Sequence, residues 1–328
     1  MTNRLLFLGL ALALTAGCKD KPANSSGTGD AASPSAKPVI AVIPKGTTHS
    51  FWKSVEAGGQ QAAKEFDVEI NWKGPLKESD RAQQIAIVEQ FVSDNVSAIV
   101  LAPLDDSALV KPVREAGAKH IPVIIFDSAL KGTPGTDFAS FVATDNRAGG
   151  TLGGQALVKL LGDSKKIVLL RYAEGSASTI EREAGFMDVM HQTPGVQMLV
   201  ENRFGGATSA ESEKAAMEML DKLKEADGIF CPNESSTAGM LEAMRKTGLV
   251  HKAKFVGFDS SPKLIKALRD GEVDALVVQN PTKMGYEAVK AAAAVIKHKP
   301  VEQHIDTGVR LITKADLDDP EVKKLVGM

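Results

Sequence analysis

Several short apolar runs in this sequence end in side chains suited to holding a small polyhydroxylated molecule. Val39 to Ile43 leads into Pro44-Lys45-Gly46-Thr47-Thr48-His49-Ser50-Phe51-Trp52, Ala98 to Leu101 into Ala102-Pro103-Leu104-Asp105-Asp106, and Val123 to Phe126 into Asp127-Ser128. Further along, Ile167 to Leu170 precedes Arg171-Tyr172 and then Ser178-Thr179-Ile180-Glu181-Arg182. Gly228 to Phe230 precedes Cys231-Pro232-Asn233-Glu234, Phe255-Val256 precedes Gly257-Phe258-Asp259, and Ala275 to Val278 precedes Gln279-Asn280. Carboxylates, amides and a guanidinium form paired hydrogen bonds with adjacent hydroxyls, and an aromatic face packs against the C–H side of a sugar ring. In open parallel sheets ligands bind beyond the carboxyl ends of the strands, which is where these residues fall.

Catalytic and metal chemistry find no comparable support. Gly149-Gly150-Thr151-Leu152-Gly153-Gly154 matches neither phosphate-loop pattern and sits in a helical stretch, so close packing explains it better. The six histidines show no metal-ligand spacing. No serine stands in a nucleophile elbow, and Cys231, without a nearby histidine, reads as a small buried residue. No enzyme activity and no cofactor are expected.

The elements that position these side chains alternate. Apolar runs at Val39 to Ile43, Val68 to Trp72, Ala98 to Leu101 and Val123 to Phe126 read as strands, separated by helical patterns at Phe51 to Phe66, Arg81 to Asp94 and Ser107 to Gly117. The scheme repeats with strands at Ile167 to Leu170, Val196 to Val200, Gly228 to Phe230, Phe255 to Val256 and Ala275 to Val278. Helices fit at Asn146 to Leu161, Ser178 to His191, Ser209 to Leu223, Ser235 to Thr247 and Pro262 to Arg269, and the alanines within Lys290 to Val295 favour another. Ser261-Pro262 and Gly271 punctuate one helix, and Asp80 precedes another. Apolar strands alternating with helices argue parallel sheets covered on both faces, and some ten strands are too many for one sheet. The fold class is α/β, with two doubly wound parallel-sheet lobes.

Composition agrees with a globular binder and excludes other classes. The 328 residues carry 39 Lys+Arg against 41 Asp+Glu, a net charge of −2, so no basic footprint for nucleic acid exists. Two cysteines cannot make a disulfide framework or a zinc site. At the N-terminus, Arg4 and the apolar run Leu5 to Leu14 read as a secretory signal over residues 1–17, too short to span a bilayer. Leu14-Thr15-Ala16-Gly17-Cys18 resembles a bacterial lipobox, which implies cleavage before Cys18, lipidation of its thiol and attachment to a bacterial membrane facing the periplasm or cell surface. Small polar residues make 18–37 the lipidated cysteine and a flexible tether.

Gly257-Phe258-Asp259, Asn233, Glu181 to Phe186, Ala143-Thr144-Asp145-Asn146 and Ile121-Pro122-Val123 before Asp127 together resemble the ribose-type periplasmic sugar-binding proteins, solute receptors of ABC transporters that share their core with lac-repressor-type regulators. The resemblance spans Val39 to about Leu311. It implies the type I periplasmic binding protein fold, its lobes joined by a three-segment hinge: 38–143 with 280–308, and 144–279 with 309–328. It further implies a monomer that takes a small neutral sugar or polyol and passes it to an ABC permease, touching the membrane only through its lipid. Presentation to a chemoreceptor or sensor kinase is the alternative.

On this resemblance Phe51 and Trp52 look like an aromatic sandwich, and His49 stands near a position where ribose binders carry asparagine. Asp127 would hold hydroxyls, Arg182 would bridge ring and hydroxyl oxygens, and Asn233, Asp259 and Gln279 would complete the second lobe's grip. Plainer roles exist for each: Asn233 and Asp259 as caps of the following helices, Arg182 in an ion pair with Glu181 or Glu183, Phe51 and Trp52 as a buried helix face, Gln279 as a hinge residue, Trp72 as core. Ribose binders have arginine directly after the aspartate, whereas this chain has Ser128. A pentose, hexose, polyol or modified sugar therefore stays open.

Overall fold

The computed structural model describes residues 37–163 and 165–328. The signal, Cys18 and the tether up to residue 36 lie outside the described residues. Among those described, strands run β1 (Val39–Ile43), β2 (Glu69–Trp72), β3 (Ala98–Leu101), β4 (Val123–Phe126), β5 (Ser140–Ala143) and β6 (Lys165–Arg171). They continue as β7 (Val196–Phe204), β8 (Gly228–Phe230), β9 (Lys254–Phe258), β10 (Ala275–Gln279), β11 (His304–Asp306) and β12 (Val309–Thr313). The helices are α1 (Ser50–Phe66), α2 (Arg81–Ser93), α3 (Val110–Ala118), α4 (Asn146–Leu160), α5 (Ala177–Gln192) and α6 (Ser209–Glu218). After them come α7 (Leu220–Glu225), α8 (Glu234–Thr247), α9 (Pro262–Asp270), α10 (Pro281–Ile296) and α11 (Pro320–Val326). None of them is long and apolar enough to cross a membrane.

The strands form two six-stranded sheets, ordered β11-β5-β4-β3-β1-β2 and β12-β10-β9-β8-β6-β7. Pairing is parallel throughout except for β12, which runs antiparallel to β10 with Val277 opposite Leu311. Each sheet opens with the same winding: the first strand pairs with the second on one side and the third on the other. The winding therefore reverses beside β1 and beside β6, the place where such sheets leave a crevice. The chain passes from the first sheet to the second between β5 and α4. It returns between β10 and α10, which packs on the first sheet, and crosses a third time between β11 and β12.

Local signals explain most of the elements. Asp80 caps α2 by accepting from the Gln83 N–H (2.9 Å). Ser261 caps α9, with Pro262 in its first turn and Gly271 ending it in the left-handed conformation. The strands β1, β3, β4, β9 and β10 are apolar and almost wholly buried, as parallel strands covered by helices must be. Ile40, Val100 and Phe126 anchor one core beneath α1 and α10, while Phe230, Val256 and Phe258 anchor another beneath α4 and α5.

The structure departs from the sequence reading in a broken helix, three further strands and the C-terminal helix α11, which that reading lacks. The helix expected over 209–223 breaks at Met219, where the Met219 N–H bonds to Ala216 (3.2 Å) and the Lys222 N–H to Met219 (3.0 Å), three-residue spacings that tighten the turn. Strands β5, β11 and β12 have no counterpart in that reading. Each is short or alternates with polar residues, and each is recruited to a sheet at or beside its margin by its neighbours, not by its own apolar content.

The glycine-rich run of α4 is a packing device. A Cβ at Gly150 would lie 1.8 Å from the Arg182 carbonyl oxygen, and one at Gly185 2.1 Å from that of Arg147, so α4 and α5 cross with their backbones in contact. Cys231 is a free, fully buried thiol whose pKa burial pushes well up.

Candidate functional site

A cavity with about 330 Å³ of atom-free space lies between the two sheets, beyond their carboxyl ends. All eight side chains singled out from the sequence line it: His49, Phe51, Trp52, Asp127, Arg182, Asn233, Asp259 and Gln279. Lys45, Glu78, Tyr172, Ser178, Thr179 and Glu234 complete the wall.

The first lobe supplies an aromatic corner and two ion pairs. Phe51 and Trp52 open α1 and meet edge to face, with centroids 4.9 Å apart and planes at 84°. They make a corner, not two parallel plates. Trp52 also packs edge-on against Phe126 in the core, so the buried-face role and the cavity role coincide in one residue. Its indole N–H donates to Glu78 Oε1 (2.7 Å), and the Tyr172 hydroxyl of the second lobe donates to Glu78 Oε2 (2.8 Å). His49 Nδ1 lies 2.7 Å from Glu78 Oε1. Burial alone would favour the neutral imidazole, but the Glu78 carboxylate, aided by Glu234 and Asp259, raises the His49 pKa to about 9. Burial would likewise favour the protonated acid at Glu78, yet His49, with Lys45 and the Trp52 N–H, brings its pKa down to about 2. At neutral pH this is a buried imidazolium–carboxylate pair, with the imidazole Nε2 left over as a donor.

Asp127 follows β4 in the left-handed conformation (φ 60°). Its Oδ2 lies 3.1 Å from Lys45 Nζ, and both side chains are buried. The ammonium spends its other donors on Ser178 Oγ (2.9 Å) and Ser176 Oγ (3.3 Å), both in the second lobe. With three hydrogens and three partners, Lys45 is satisfied by the protein and leaves Asp127 Oδ1 to face the cavity.

In the second lobe Arg182 is 2% exposed and lies over the Phe258 ring, 4.0 Å from its centroid. Its Nε donates to Asn146 Oδ1 (2.8 Å) and one terminal nitrogen to the Pro232 carbonyl (3.0 Å), leaving the rest of the fork for the cavity. The expected ion-pair rivals go elsewhere: Glu183 pairs with Arg171 and Glu181 with Arg147. Asn233 is the cap of α8, its Oδ1 accepting from the Ser236 N–H (3.1 Å), so capping and cavity lining coincide there too.

Asp259 leaves its own following helix, α9, to Ser261 and accepts instead from the Glu234 N–H at the start of α8 (2.8 Å). Its other oxygen accepts from Gln279 Nε2 (2.7 Å). Burial raises the Asp259 pKa, opposed by Arg182 and these two hydrogen bonds. Gln279 Oε1 in turn accepts from the Thr144 hydroxyl (2.9 Å), which lies 3.5 Å from that of Thr307. Those two threonines sit at the first and third crossings, so Gln279 ties the cavity wall to the crossings.

Lys45, Glu78 and Tyr172 escaped the sequence reading. Lys45 and Tyr172 stand in strand-end segments that were read, and only their placement opposite Asp127 and Glu78 gives them significance. Glu78 lies six residues past β2, and extending the strand-end reading to that strand would have found it. Trp72 packs against the core and does not line the cavity, and Asp106 pairs with Lys131 outside it.

Comparison with known proteins fits this geometry. Residues 40–300 match the family model described as periplasmic binding protein domain. The chain is 28% identical over 292 residues to the D-ribose/D-allose-binding protein of Pseudomonas aeruginosa, covering 84% of this chain and 89% of that one. Among solved structures, the periplasmic component of an ABC-type sugar transport system from Hahella chejuensis is 36% identical, with a TM-score of 0.81 over 84% of this chain and 99% of that one. A carbohydrate transporter solute-binding protein from Agrobacterium radiobacter, solved with D-arabinose, is 32% identical, with a TM-score of 0.84 over 89% of this chain and 99% of that one. With nearly the whole described chain covered and the two-sheet topology shared, this chain belongs to the periplasmic binding protein family.

Proposed function

We propose that the chain captures a small neutral sugar or polyol in the cleft between its lobes and delivers it to the permease of an ABC importer. The observation that carries this reading is one cavity holding an aromatic corner, a half-satisfied carboxylate at Asp127 and a half-satisfied guanidinium at Arg182. Neutrality of the ligand follows from how the charges are spent. Lys45 answers Asp127, and His49 answers Glu78. Glu234 and Asp259 lie against the N-termini of α1 and α8, whose positive ends suit carboxylates. Arg182 is balanced by the nearby Asp259 charge, so little uncompensated charge remains to attract an ion. Charge-assisted hydrogen bonds contribute roughly 1.5–3 kcal/mol each and micromolar binding needs about 8 kcal/mol, so a few such contacts plus the aromatic corner suffice.

The ligand favours a closed form by touching both lobes, and the three crossings act as the hinge on which 38–143 with 280–308 moves against 144–279 with 309–328. Cys18 carries the lipid that holds the mature protein at a bacterial membrane, and Cys18→Ala releases it into the soluble fraction.

A thermal-shift screen across pentoses, hexoses and polyols identifies the ligand, because binding to the folded state raises stability by mass action. Calorimetry then compares Asp127→Asn and Arg182→Gln with the wild type. Each loses binding by roughly tenfold to a hundredfold or more, the worth of one charge-assisted contact. Wild-type affinity in both variants would show that the sugar binds elsewhere.

A further inference from the structure

The two helices that open onto the cleft from equivalent places are α1, after the first strand of its lobe, and α5, after the first strand of the other. Neither has a side-chain cap of its own: His49 and Ser176 stand at the capping positions and make no capping hydrogen bond. Seven of the remaining nine described helices are capped by their own Asp, Asn, Ser or Thr.

The missing caps come from across the cleft. Glu234 of the second lobe accepts from the Ser50 N–H (3.3 Å) and the Phe51 N–H (3.2 Å) of α1. Ser128 of the first lobe accepts, through its hydroxyl, from the Ser178 N–H of α5 (3.1 Å). Ser128 is fully buried and does not line the cavity, so its hydroxyl serves the opposite lobe and not a ligand.

We propose that the lobes close by exchanging helix caps, with Ser128 and Glu234 as the closing residues. The first-turn N–H groups of a helix have no intrahelical acceptor, and a side-chain cap meets that need. In the closed form each lobe supplies what the other's helix lacks. In the open form those donors turn to water, so closure gains an ordinary cap at each end. Removing one cap therefore shifts the closed-to-open ratio by roughly threefold to thirtyfold. The proposal rests on the hinge reading above, but its test needs no ligand.

Amide hydrogen exchange on the sugar-free chain reads it directly. In the wild type the Ser50, Phe51 and Ser178 amides are protected. In Ser128→Ala all three lose protection, Ser50 and Phe51 by the same threefold to thirtyfold, although Ser128 touches neither. Core amides such as Ile99 and Val256 keep theirs, which separates opening from unfolding. Should Ser128→Ala not fold, Glu234→Ala read at Ser178 gives the reciprocal measurement. Deprotection of Ser178 alone in Ser128→Ala, or no protection of the three amides in the wild type, overturns the cap exchange. A chain that shows coupled protection yet binds nothing in the screen of pentoses, hexoses and polyols upholds the exchange and sinks the ligand reading instead.

Discussion

The two lobes repeat one another in topology and differ in how they settle the same electrostatic problem. Asp127 and Asp259 both end the fourth strand of their lobes in the left-handed conformation, at φ 60° and 70°. Both donate their backbone N–H to the next strand, Asp127 to Val142 (3.0 Å) and Asp259 to Val277 (2.8 Å). Asp127 is answered by a buried ammonium, Lys45, whereas Asp259 is answered by an amide and the first N–H of α8. One lobe holds its carboxylate against a full charge in direct contact, the other hydrogen-bonds it with dipoles and feels the Arg182 charge only from beyond ion-pair distance. A buried charge left without its partner is far more costly than a lost dipole contact.

That contrast breaks first in stability. Asp127→Asn strands the Lys45 ammonium and costs about 3–5 kcal/mol, while Asp259→Asn keeps an acceptor and costs about 1 kcal/mol. Denaturant melts of the two variants measure the difference, and equal losses would mean that Lys45 finds another counter-charge. The next effect tests the symmetry of the scaffold. Gly58 and Gly285 bring α1 and α10 together as Gly150 and Gly185 bring α4 and α5, with added Cβ atoms 1.9 Å from opposing carbonyl oxygens in the first lobe. Gly58→Ala and Gly150→Ala each cost about 1–3 kcal/mol, but only Gly150→Ala displaces the Arg182 backbone and weakens ligand binding as well.

The His49–Glu78 pair belongs to the first lobe alone and makes stability depend on pH in two windows. The folded pKa of His49, about 9, exceeds the unfolded value of about 6.5, so the folded state holds the extra proton between them. Its contribution is complete below about 6.5 and is lost as pH rises through 9. Glu78, at about 2 against about 4.3 unfolded, contributes fully above that value and loses its share as pH falls toward 2. In His49→Gln the melting temperature stays flatter between pH 6.5 and 9 than in the wild type. An unchanged slope would place the titration elsewhere. The smallest effect concerns Cys231, confined to the second core: a thiol reagent labels it only when that lobe unfolds.

Most strands and helices were legible because each carries its own signal. The apolar runs of β1, β3, β4 and β8 have the boundaries read from the sequence, and the caps of α2 and α9 are written into Asp80, Ser261 and Gly271. Strands β5, β11 and β12, at or beside the sheet margins, were not legible, since three to five polar-flanked residues become a strand only when a neighbouring strand accepts them. Site residues divide in the same way. Asp127, Asn233, Asp259 and Gln279 announce themselves by standing at strand ends, where α/β sheets gather their ligands.

The local pattern alone determined the alternation, the two-lobe division and the strand-end segments from which the family resemblance picks the eight side chains that meet in the cavity, because strand ends and caps depend on near neighbours in the chain. Only the tertiary structure decided the partners. Lys45 finds Asp127 and two serines of the other lobe, Glu78 gathers His49, Trp52 and Tyr172, and Glu234 and Ser128 cap helices across the cleft. These pairings join residues from about fifty to nearly two hundred positions apart, apart from those within the Glu78 loop. No local spacing encodes them, and they form only when two separately wound sheets face each other.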